Sequence, residues 1–285
     1  MMFNIRAMHR EDIPFAVKLS DQEKWGITRA DFERLLTLAP RGCFVAYSGH
    51  KRLGLVTTTS YGREAAWIGN VVVEKSSRGK HIGAGLVRHS VGYLKKSGVK
   101  RTILYCFHEN VKFYENLGFV KDAGFVRLRR KRRTSSRGIT RNRNLHVPPI
   151  NRILSADRKA FGGDRGKLIR LMVRNRIGWY VGAERGAAST CYLFVKQYED
   201  MCEFGPWVCI NPQRGASRHL FETALSIVSR QPVEIACLRS HPQELALLRR
   251  HGFRITNTGY RMFYGKRQRL GDDRAQYALG FLDKG

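Results

Sequence analysis

The chain carries one structural plan twice, and this repeat limits its possible folds more than any other feature. The segment "GCFVAYS" returns as "GWYVGAE", "TILYCF" returns as "VEIACL", and "VKFYENLGF" returns as "ELALLRRHGF". Phe119 and Phe253, which close the last pair of segments, lie 134 residues apart. Solenoid repeats are roughly 20–50 residues long, so a period of this length indicates the duplication of a whole domain.

Each half alternates segments typical of strands with segments typical of helices. The runs "CFVAYS", "KRLGLVTTTSY" and "AAWIGNVVVE" are rich in β-branched and aromatic residues, which predicts strands. Thr28 and Asp31 have the spacing of a capping box, which predicts the start of a helix. Leu86, Val87, Val91 and Leu94 recur at helical spacing. We therefore expect an α/β protein with a mixed sheet in each half.

A run of basic residues separates the two halves. Residues 127–144, "RLRRKRRTSSRGITRNRN", have no apolar face beyond their first few positions, which continue the last strand of the first half. We predict a first domain at 1–133, a basic linker at 134–145 and a second domain at 146–285. The linker is either a solvated connection or a contact for nucleic acid or another acidic partner.

The composition supports a folded core and narrows the choice of compartment. Hydrophobic residues make up 42% of the chain, which argues against a disordered protein. No apolar run approaches the ~20 residues of a membrane span, and the N-terminus lacks the apolar region of a signal peptide. The six cysteines form no C-x-x-C pair, so we expect buried free thiols, no metal site and a cytoplasmic protein. The net charge of +29 favours anionic ligands without indicating a fold.

A glycine-rich loop carries the clearest functional signal. Residues 76–87, "SSRGKHIGAGLV", link an apolar strand to a helix and contain three glycines and three basic residues. A loop in this position directs unpaired backbone N–H groups and the positive end of the helix dipole at one point, which suits a phosphate. The glycine spacing matches neither a Walker A loop nor a dinucleotide fingerprint. The loop therefore predicts a phosphate-bearing ligand of another kind.

The segment "VVVEKSSRGKHIGAGL" resembles motif A of the GNAT superfamily of N-acetyltransferases, whose loop binds the pyrophosphate of acetyl-CoA. Arg78 stands at the first position of the motif and Gly83 at the last, while His81 replaces the middle glycine. We expect His81 to keep a backbone conformation that glycine adopts more easily. Its ring either touches a phosphate or is simply exposed to solvent.

A second segment, "HENVKFYENLGF" (108–119), resembles the asparagine–tyrosine segment of the same family. The resemblance implies that Tyr114 is the catalytic acid near the thioester sulfur and that Asn110 hydrogen-bonds the pantetheine arm. It also implies that backbone N–H groups at Val71–Val73 bind the pantetheine and polarise the thioester carbonyl. The implied acetyl-CoA contacts are Val71, Val72, Val73, Arg78, Gly79, Lys80, His81, Gly83, Ala84 and Asn110.

The resemblance extends to a two-domain subfamily of GNAT proteins. "DQEKWGITRADFERLLTLAPRGCFVAY" is similar to its acceptor-side segment, and "GYRMFYG" is similar to the close of its second domain. This implies that Glu23 and Trp25 lie near the acceptor, although Trp25 equally suits ordinary core packing. The second half has one glycine in its loop "NPQRGASRHL" and Leu248 in the place of Tyr114. We therefore expect tandem GNAT-like folds of which the second is degenerate.

The implied function is transfer of an acetyl group from acetyl-CoA to a primary amine, on a small molecule or a peptide, by direct attack in a ternary complex. An alkylamine with a pKa of about 10.4 is protonated at neutral pH and must lose a proton before it attacks. The sequence leaves the base open among Asp21, Glu23, Glu74, His108 and a chain of water molecules. The alternative is a nucleic-acid-binding or CoA-sensing protein that uses the acetyltransferase fold as a scaffold.

Overall fold

The structure is a computed structural model. It describes residues 2–132, 149–175, 178–185, 189–212, 215–228 and 230–285. The linker predicted at 134–145 lies outside the described residues.

The strands follow the alternation expected from the sequence. They are β1 (Asn4–Ala7), β2 (Cys43–Ser48), β3 (Lys51–Tyr61), β4 (Ala65–Val73), β5 (Thr102–Phe107), β6 (Phe119–Arg130), β7 (Gly178–Arg185), β8 (Ser189–Gln197), β9 (Cys202–Ile210), β10 (Val233–Leu238), β11 (Arg254–Tyr264) and β12 (Gln276–Ala278).

The helices pack against the sheet that these strands form. They are α1 (Ile13–Gln22), α2 (Arg29–Leu38), α3 (Ile82–Lys96), α4 (Val111–Glu115), α5 (Ile150–Phe161), α6 (Gly166–Arg174), α7 (Ala216–Ile227) and α8 (Pro242–Arg250). The predicted capping box starts α2, where the Asp31 carboxylate accepts a hydrogen bond from the Thr28 backbone at 2.9 Å.

One continuous sheet runs through both halves, in the order β1-β2-β3-β4-β5-β11-β6-β10-β9-β8-β7, with β12 paired to β9. The pairs β4–β5 and β9–β10 are parallel and the other pairs are antiparallel. The mixed sheet predicted from the sequence is therefore confirmed.

The two halves exchange a strand with each other. Strand β11, from the second half, lies between β5 and β6 and pairs with both. Strand β6, from the first half, pairs in turn with β10 of the second half. The second half therefore supplies β11, the strand beside β5, and the first half supplies β6, the strand beside β10. The positions of the predicted boundaries between the domains stay a prediction.

An aromatic cluster also joins the halves across one face of the sheet. The Trp67 ring of β4 stacks on Phe161 of α5 with ring centres 4.8 Å apart, and Tyr61 meets the same Phe161 ring edge-on. Phe263 and Phe281, from the second half, belong to the same buried cluster. Elsewhere, all six cysteines are buried and free, as the sequence predicted.

The parallel strands separate soon after they begin to pair. On β4 and β5 the paired residues are Ala66 with Thr102 and Trp67 with Ile103. Residues 279–285, here called the C-terminal segment, lie against the sheet where the strands have parted. A Cβ atom on Gly69 would lie 2.2 Å from the backbone oxygen of Asp283. Only glycine therefore lets this segment approach β4 so closely.

Gly259 of β11 offers a test of the strand exchange. A Cβ atom there would lie 2.2 Å from the Cys106 carbonyl oxygen and 2.6 Å from the Phe125 ring. We expect Gly259→Val to lower the free energy of unfolding by about 1–3 kcal/mol or more through overpacking. Because β11 is shared, urea unfolding followed by circular dichroism and by tryptophan fluorescence should still give coincident transitions.

The control is Gly92→Ala on α3, where no described atom lies within 4 Å of the added Cβ atom. Alanine should stabilise this helix interior by about 0.5–1 kcal/mol. Two separate transitions in Gly259→Val, with one half unfolding at its original urea concentration, would contradict a shared sheet.

Candidate active site

The glycine-rich loop turns sharply into α3. Gly79 has φ +77° and His81, the N-cap of α3, has φ +58° and ψ 13°, so both residues are left-handed. The expected backbone conformation of His81 is thus confirmed, and its side chain is exposed. The first N–H groups of an α-helix have no partner within the helix. This turn therefore leaves the positive end of a 15-residue helix open to an anion.

Arg78 is held at the end of β4 by two acceptors. Its Nε donates a hydrogen bond to the Val73 carbonyl at 3.1 Å, and its guanidinium forms an ion pair with the Glu23 carboxylate. Lys80, two residues along the loop, is exposed. Glu23, predicted near the acceptor, thus lies beside the arginine of the loop.

A bulge interrupts β4 just before Val71. The register between β3 and β4 shifts between the pairs Leu55–Val72 and Thr57–Gly69, and Asn70 has φ +50°. A bulge takes backbone groups out of the regular ladder and redirects the neighbouring side chains. The Asn70 amide donates to the Thr57 hydroxyl at 3.0 Å. The predicted contacts at Val71–Val73 therefore follow directly on a distorted stretch of strand.

Helix α4 brings the predicted tyrosine toward the glycine loop. A Cβ atom on Gly83 would lie 3.5 Å from the Phe113 ring and 3.6 Å from the Val73 side chain. The Tyr114 ring packs edge-on against Phe113 and Phe119, with ring centres 4.9 and 5.8 Å away. Burial raises the pKa of Tyr114 above its ordinary value. The fold thus brings together the loop, the bulged strand and the tyrosine-bearing helix.

The other predicted residues lie around this centre. Ala84 is buried on α3, and Asn110 is exposed at the start of α4. The Trp25 side chain, between α1 and α2, is 41% exposed, so it is not core packing. Among the candidate bases, Glu74 accepts a hydrogen bond from the Ser76 hydroxyl at 2.7 Å. The His108 ring lies 6.3 Å from the Tyr260 ring.

One carboxylate at the bulge escaped the sequence analysis. The Asp283 side chain accepts a hydrogen bond from the Asn70 amide at 3.2 Å, across 213 positions of sequence. No local pattern around Asp283 points to β4. The only sequence signal for this contact would be a neighbour small enough to admit another chain, and Gly69 is such a residue.

The second half keeps the turn of the loop but has other residue types at the positions that match His81, Asn110 and Tyr114. Gly215, which lies 134 positions after His81, is the left-handed N-cap of α7. Leu248, which lies 134 positions after Tyr114, is fully buried in the core of the second half. Glu244 stands at the position that matches Asn110.

Two family models match the chain, one in each half. The acetyltransferase (GNAT) family model matches residues 5–119, and an acetyltransferase (GNAT) domain model matches residues 153–278. The chain belongs to the GNAT acetyltransferase family and contains two GNAT domains. The resemblance seen in the sequence is thus confirmed, and membership of the family implies acetyl-CoA as co-substrate and an amine as acceptor.

Solved structures of tandem length share this GNAT fold. A candidate acetyltransferase from Pyrococcus horikoshii is 21% identical, with a TM-score of 0.76 over 99% of this chain and 96% of its own. A GCN5-related N-acetyltransferase from Sphaerobacter thermophilus is 13% identical, with a TM-score of 0.66 over 95% and 98%. A tandem GNAT protein from the clavulanic acid biosynthesis pathway is 13% identical, with a TM-score of 0.65 over 94% and 100%. Comparison with curated protein sequences gives no match.

The described residues of this GNAT protein contain neither a membrane-spanning helix nor a cluster of metal-ligating side chains. In that part of the chain, no helix has both the length and the apolar character needed to cross a bilayer. The same residues include no group of three or more His, Cys, Asp or Glu side chains placed to hold a metal ion.

The left-handed turn of the glycine loop can be tested by measuring the free energy of unfolding, without an activity assay. A non-glycine residue with positive φ costs of order 1 kcal/mol, and a β-branched residue costs more. We expect His81→Gly to raise the free energy of unfolding by up to about 1 kcal/mol and His81→Val to lower it by about 1–2 kcal/mol. His81→Asn, which tolerates this conformation, should stay near the wild type in chemical denaturation. Equal stability of the glycine and valine variants would contradict the assigned turn.

Proposed function

We propose that the protein transfers the acetyl group of acetyl-CoA to a primary amine, on a small molecule or a peptide, within a ternary complex. The observation that carries the proposal is the convergence of three elements in the first half: the loop at the start of α3, the bulge of β4 and Tyr114 on α4. Positioning of two bound reactants is the main source of rate in such a reaction.

The residues of the first half fit the proposed co-substrate. Arg78, Lys80 and the N-terminus of α3 would bind the pyrophosphate. Apart from its two chain neighbours, no described residue comes within 4 Å of a Cβ position on Gly79, which leaves room for the phosphates. His81, Gly83 and Ala84 would complete the contact with the phosphates. A phosphate that binds Arg78 would replace the Glu23 carboxylate as its partner.

The pantetheine arm would lie along the bulged strand. Backbone groups of Val71, Val72 and Val73 would bind it and polarise the thioester carbonyl, and Asn110 would hydrogen-bond the arm from the start of α4. Trp25 presents an exposed ring on the loop between α1 and α2. It would form a wall of the acceptor site, together with Glu23 on the same loop.

Tyr114 would act as the general acid. During transfer the amine nitrogen bonds to the carbonyl carbon, the carbon–sulfur bond breaks, and the leaving thiolate takes a proton. The Tyr114 phenol is protonated at neutral pH even with an ordinary pKa of about 10, so it carries the proton that the thiolate would take. Burial raises the pKa of Tyr114 further and keeps this proton on the phenol until the thiolate forms.

We expect Tyr114→Phe to lower kcat by ~10²-fold or more and to leave the affinity for acetyl-CoA nearly unchanged. A thiol-release assay with a panel of primary amines measures kcat, and titration calorimetry measures the affinity. Tyr93→Phe, on α3 against Phe44, is the matched control and should keep the wild-type rate. An unchanged kcat in Tyr114→Phe, with chemistry shown to be rate-limiting, would exclude the tyrosine as the acid.

We also propose that the second half is degenerate and binds no acetyl-CoA. Leu248 cannot donate a proton in the place of Tyr114, and the Glu244 carboxylate stands where Asn110 would meet the pantetheine. Gly83 of the first half is matched by Ser217 at the same offset.

Titration calorimetry at ~0.15 M salt, where surface charge is largely screened, should therefore give one acetyl-CoA per chain. Gly83→Val, which forces methyl groups against Phe113 and Val73, should abolish this signal. Ser217→Val, the matched change in the second half, should leave the ratio at one. A ratio near two, or binding that survives Gly83→Val, would show a working site in the second half.

The alternative of a nucleic-acid-binding or CoA-sensing protein has less support. Neither the family models nor the similar solved structures support a nucleic-acid partner. The basic linker predicted at 134–145 lies outside the described residues. Thiol release with any amine would separate an enzyme from a sensor that binds CoA without turnover.

A further inference from the structure

The bulge of β4 carries a carboxylate from a distant part of the chain. The Asp283 carboxylate lies 3.2 Å from the Asn70 amide nitrogen and 2.6 Å from the Lys284 ammonium. The Asp283 side chain keeps 20% of its surface exposed, whereas Asn70 is buried. A small molecule can therefore reach Asp283 from the side that Asn70 does not cover.

Three side-chain hydrogen bonds and one backbone contact hold the C-terminal segment against the sheet. The Tyr61 hydroxyl donates to the Lys284 carbonyl at 2.5 Å, and the Lys196 ammonium donates to the Gly280 carbonyl at 2.6 Å. The Arg165 guanidinium donates to the Gly285 backbone oxygen at 2.7 Å. Gly69 provides the close backbone contact with Asp283. Asp283 is thus held in position rather than carried on a loose end.

A buried hydroxyl on the same face has no partner of its own. Thr59 Oγ is buried and makes no hydrogen bond within the described part of the chain. Thr59 lies two residues along β3 from Thr57, whose hydroxyl accepts from Asn70, so both residues face the same side of the sheet. Buried hydroxyls without a partner are rare, and this one is packed under its neighbours with 2% of the residue exposed.

Charged groups of both signs surround Asp283. Lys284 pairs with it at 2.6 Å, and the buried Lys196 also interacts with it. Two further carboxylates interact with these lysines, Asp31 with Lys284 and Glu203 with Lys196.

The other titratable neighbours are an ion pair and three neutral groups. Arg165 and Asp157 pair with each other beside Tyr61. Burial raises the pKa of Cys43 to about 12 and raises those of Tyr61 and Tyr198 above the usual range, so these three groups stay neutral at ordinary pH.

We propose that Asp283 is the base of the acetyl transfer, a role that rests on the proposed function. The ammonium of the incoming amine must lose protons to form an amide. The ammonium first gives one proton to the Asp283 carboxylate, directly or through one water molecule, and the carboxylate passes this proton to solvent. The neutral amine then bonds to the carbonyl carbon, the carbon–sulfur bond breaks, and the leaving thiolate takes a proton from Tyr114. The second proton that the nitrogen releases returns to Tyr114.

Two of the candidate bases named from the sequence pair with cations near the end of β4, whereas Asp283, which itself pairs with Lys284, lies at the bulge. Glu23 pairs with Arg78, and Glu74 accepts from Ser76 and pairs with Lys51 at 3.7 Å. Asp283 instead meets the bulge itself, next to the strand that would polarise the thioester.

The test is Asp283→Asn in the full chain, which keeps an acceptor for the Asn70 amide but cannot take a proton. We expect kcat to fall ~10²-fold or more, with acetyl-CoA affinity unchanged by calorimetry. The wild-type kcat should decline at acid pH as the base becomes protonated, and the variant should lose this acid limb. Asp283→Glu should recover part of the rate with its acid limb, which a purely structural role would not require.

Asp272→Asn, the same change at a carboxylate that contacts Arg274, is the control and should keep the wild-type profile. A wild-type rate or an intact acid limb in Asp283→Asn would overturn the role of Asp283 and leave the proposed function standing. Absence of thiol release by the wild-type protein with every amine tested would overturn the proposed function and this proposal together.

Discussion

The hydrogen-bonding ladder of β11 is the interaction on which the rest of the structure depends. Each backbone N–H and C=O of a buried strand requires a partner, and β5 and β6 both find theirs on β11. Without β11, β5 and β6 would each lose the strand that pairs along one of their edges. The same strand fixes where the second half sits, so it also determines where the C-terminal segment reaches β4. The sheet and the candidate site therefore both depend on the pairing of β11.

The local features could be predicted from the sequence because neighbouring residues determine them. The capping box at Thr28 and the left-handed turn at His81 depend on a few adjacent positions, and both are found. The exchange of β6 and β11 could not be predicted, because both strands carry similar patterns and either would fit either half. The contact of Asp283 with Asn70 follows from that exchange and from the path of the C-terminal segment. It therefore escapes any argument from local spacing.

The duplication kept the residues that fold the chain and changed some that the first half would use chemically. Gly215 and His81 occupy equivalent positions of the repeat, and each is a left-handed residue immediately before a helix. Leu248, at the position that matches Tyr114, is fully buried. Burial of apolar surface stabilises a folded core by roughly 25 cal/mol per Å². A tyrosine there would need a partner for its hydroxyl. In a half that makes no chemical use of this position, packing alone favours the leucine. The second half still supplies β11 and Asp283 to its neighbour.

Under the proposed function, the candidate site would attract a polyanion and a cation at the same time. The net charge of +29 draws the phosphates of acetyl-CoA toward the whole protein, and the same field repels an ammonium. The strand β4 separates the two tasks along its length. Arg78 lies at Val73, at the end of the strand, and Asp283 lies at Asn70, three residues earlier. At about 3.3 Å per residue the two places are roughly 10 Å apart. An exposed phosphate and an ammonium can then each meet a local opposite charge without much competition, and the carboxylate brought by the second half supplies the charge that the first half lacks at the bulge.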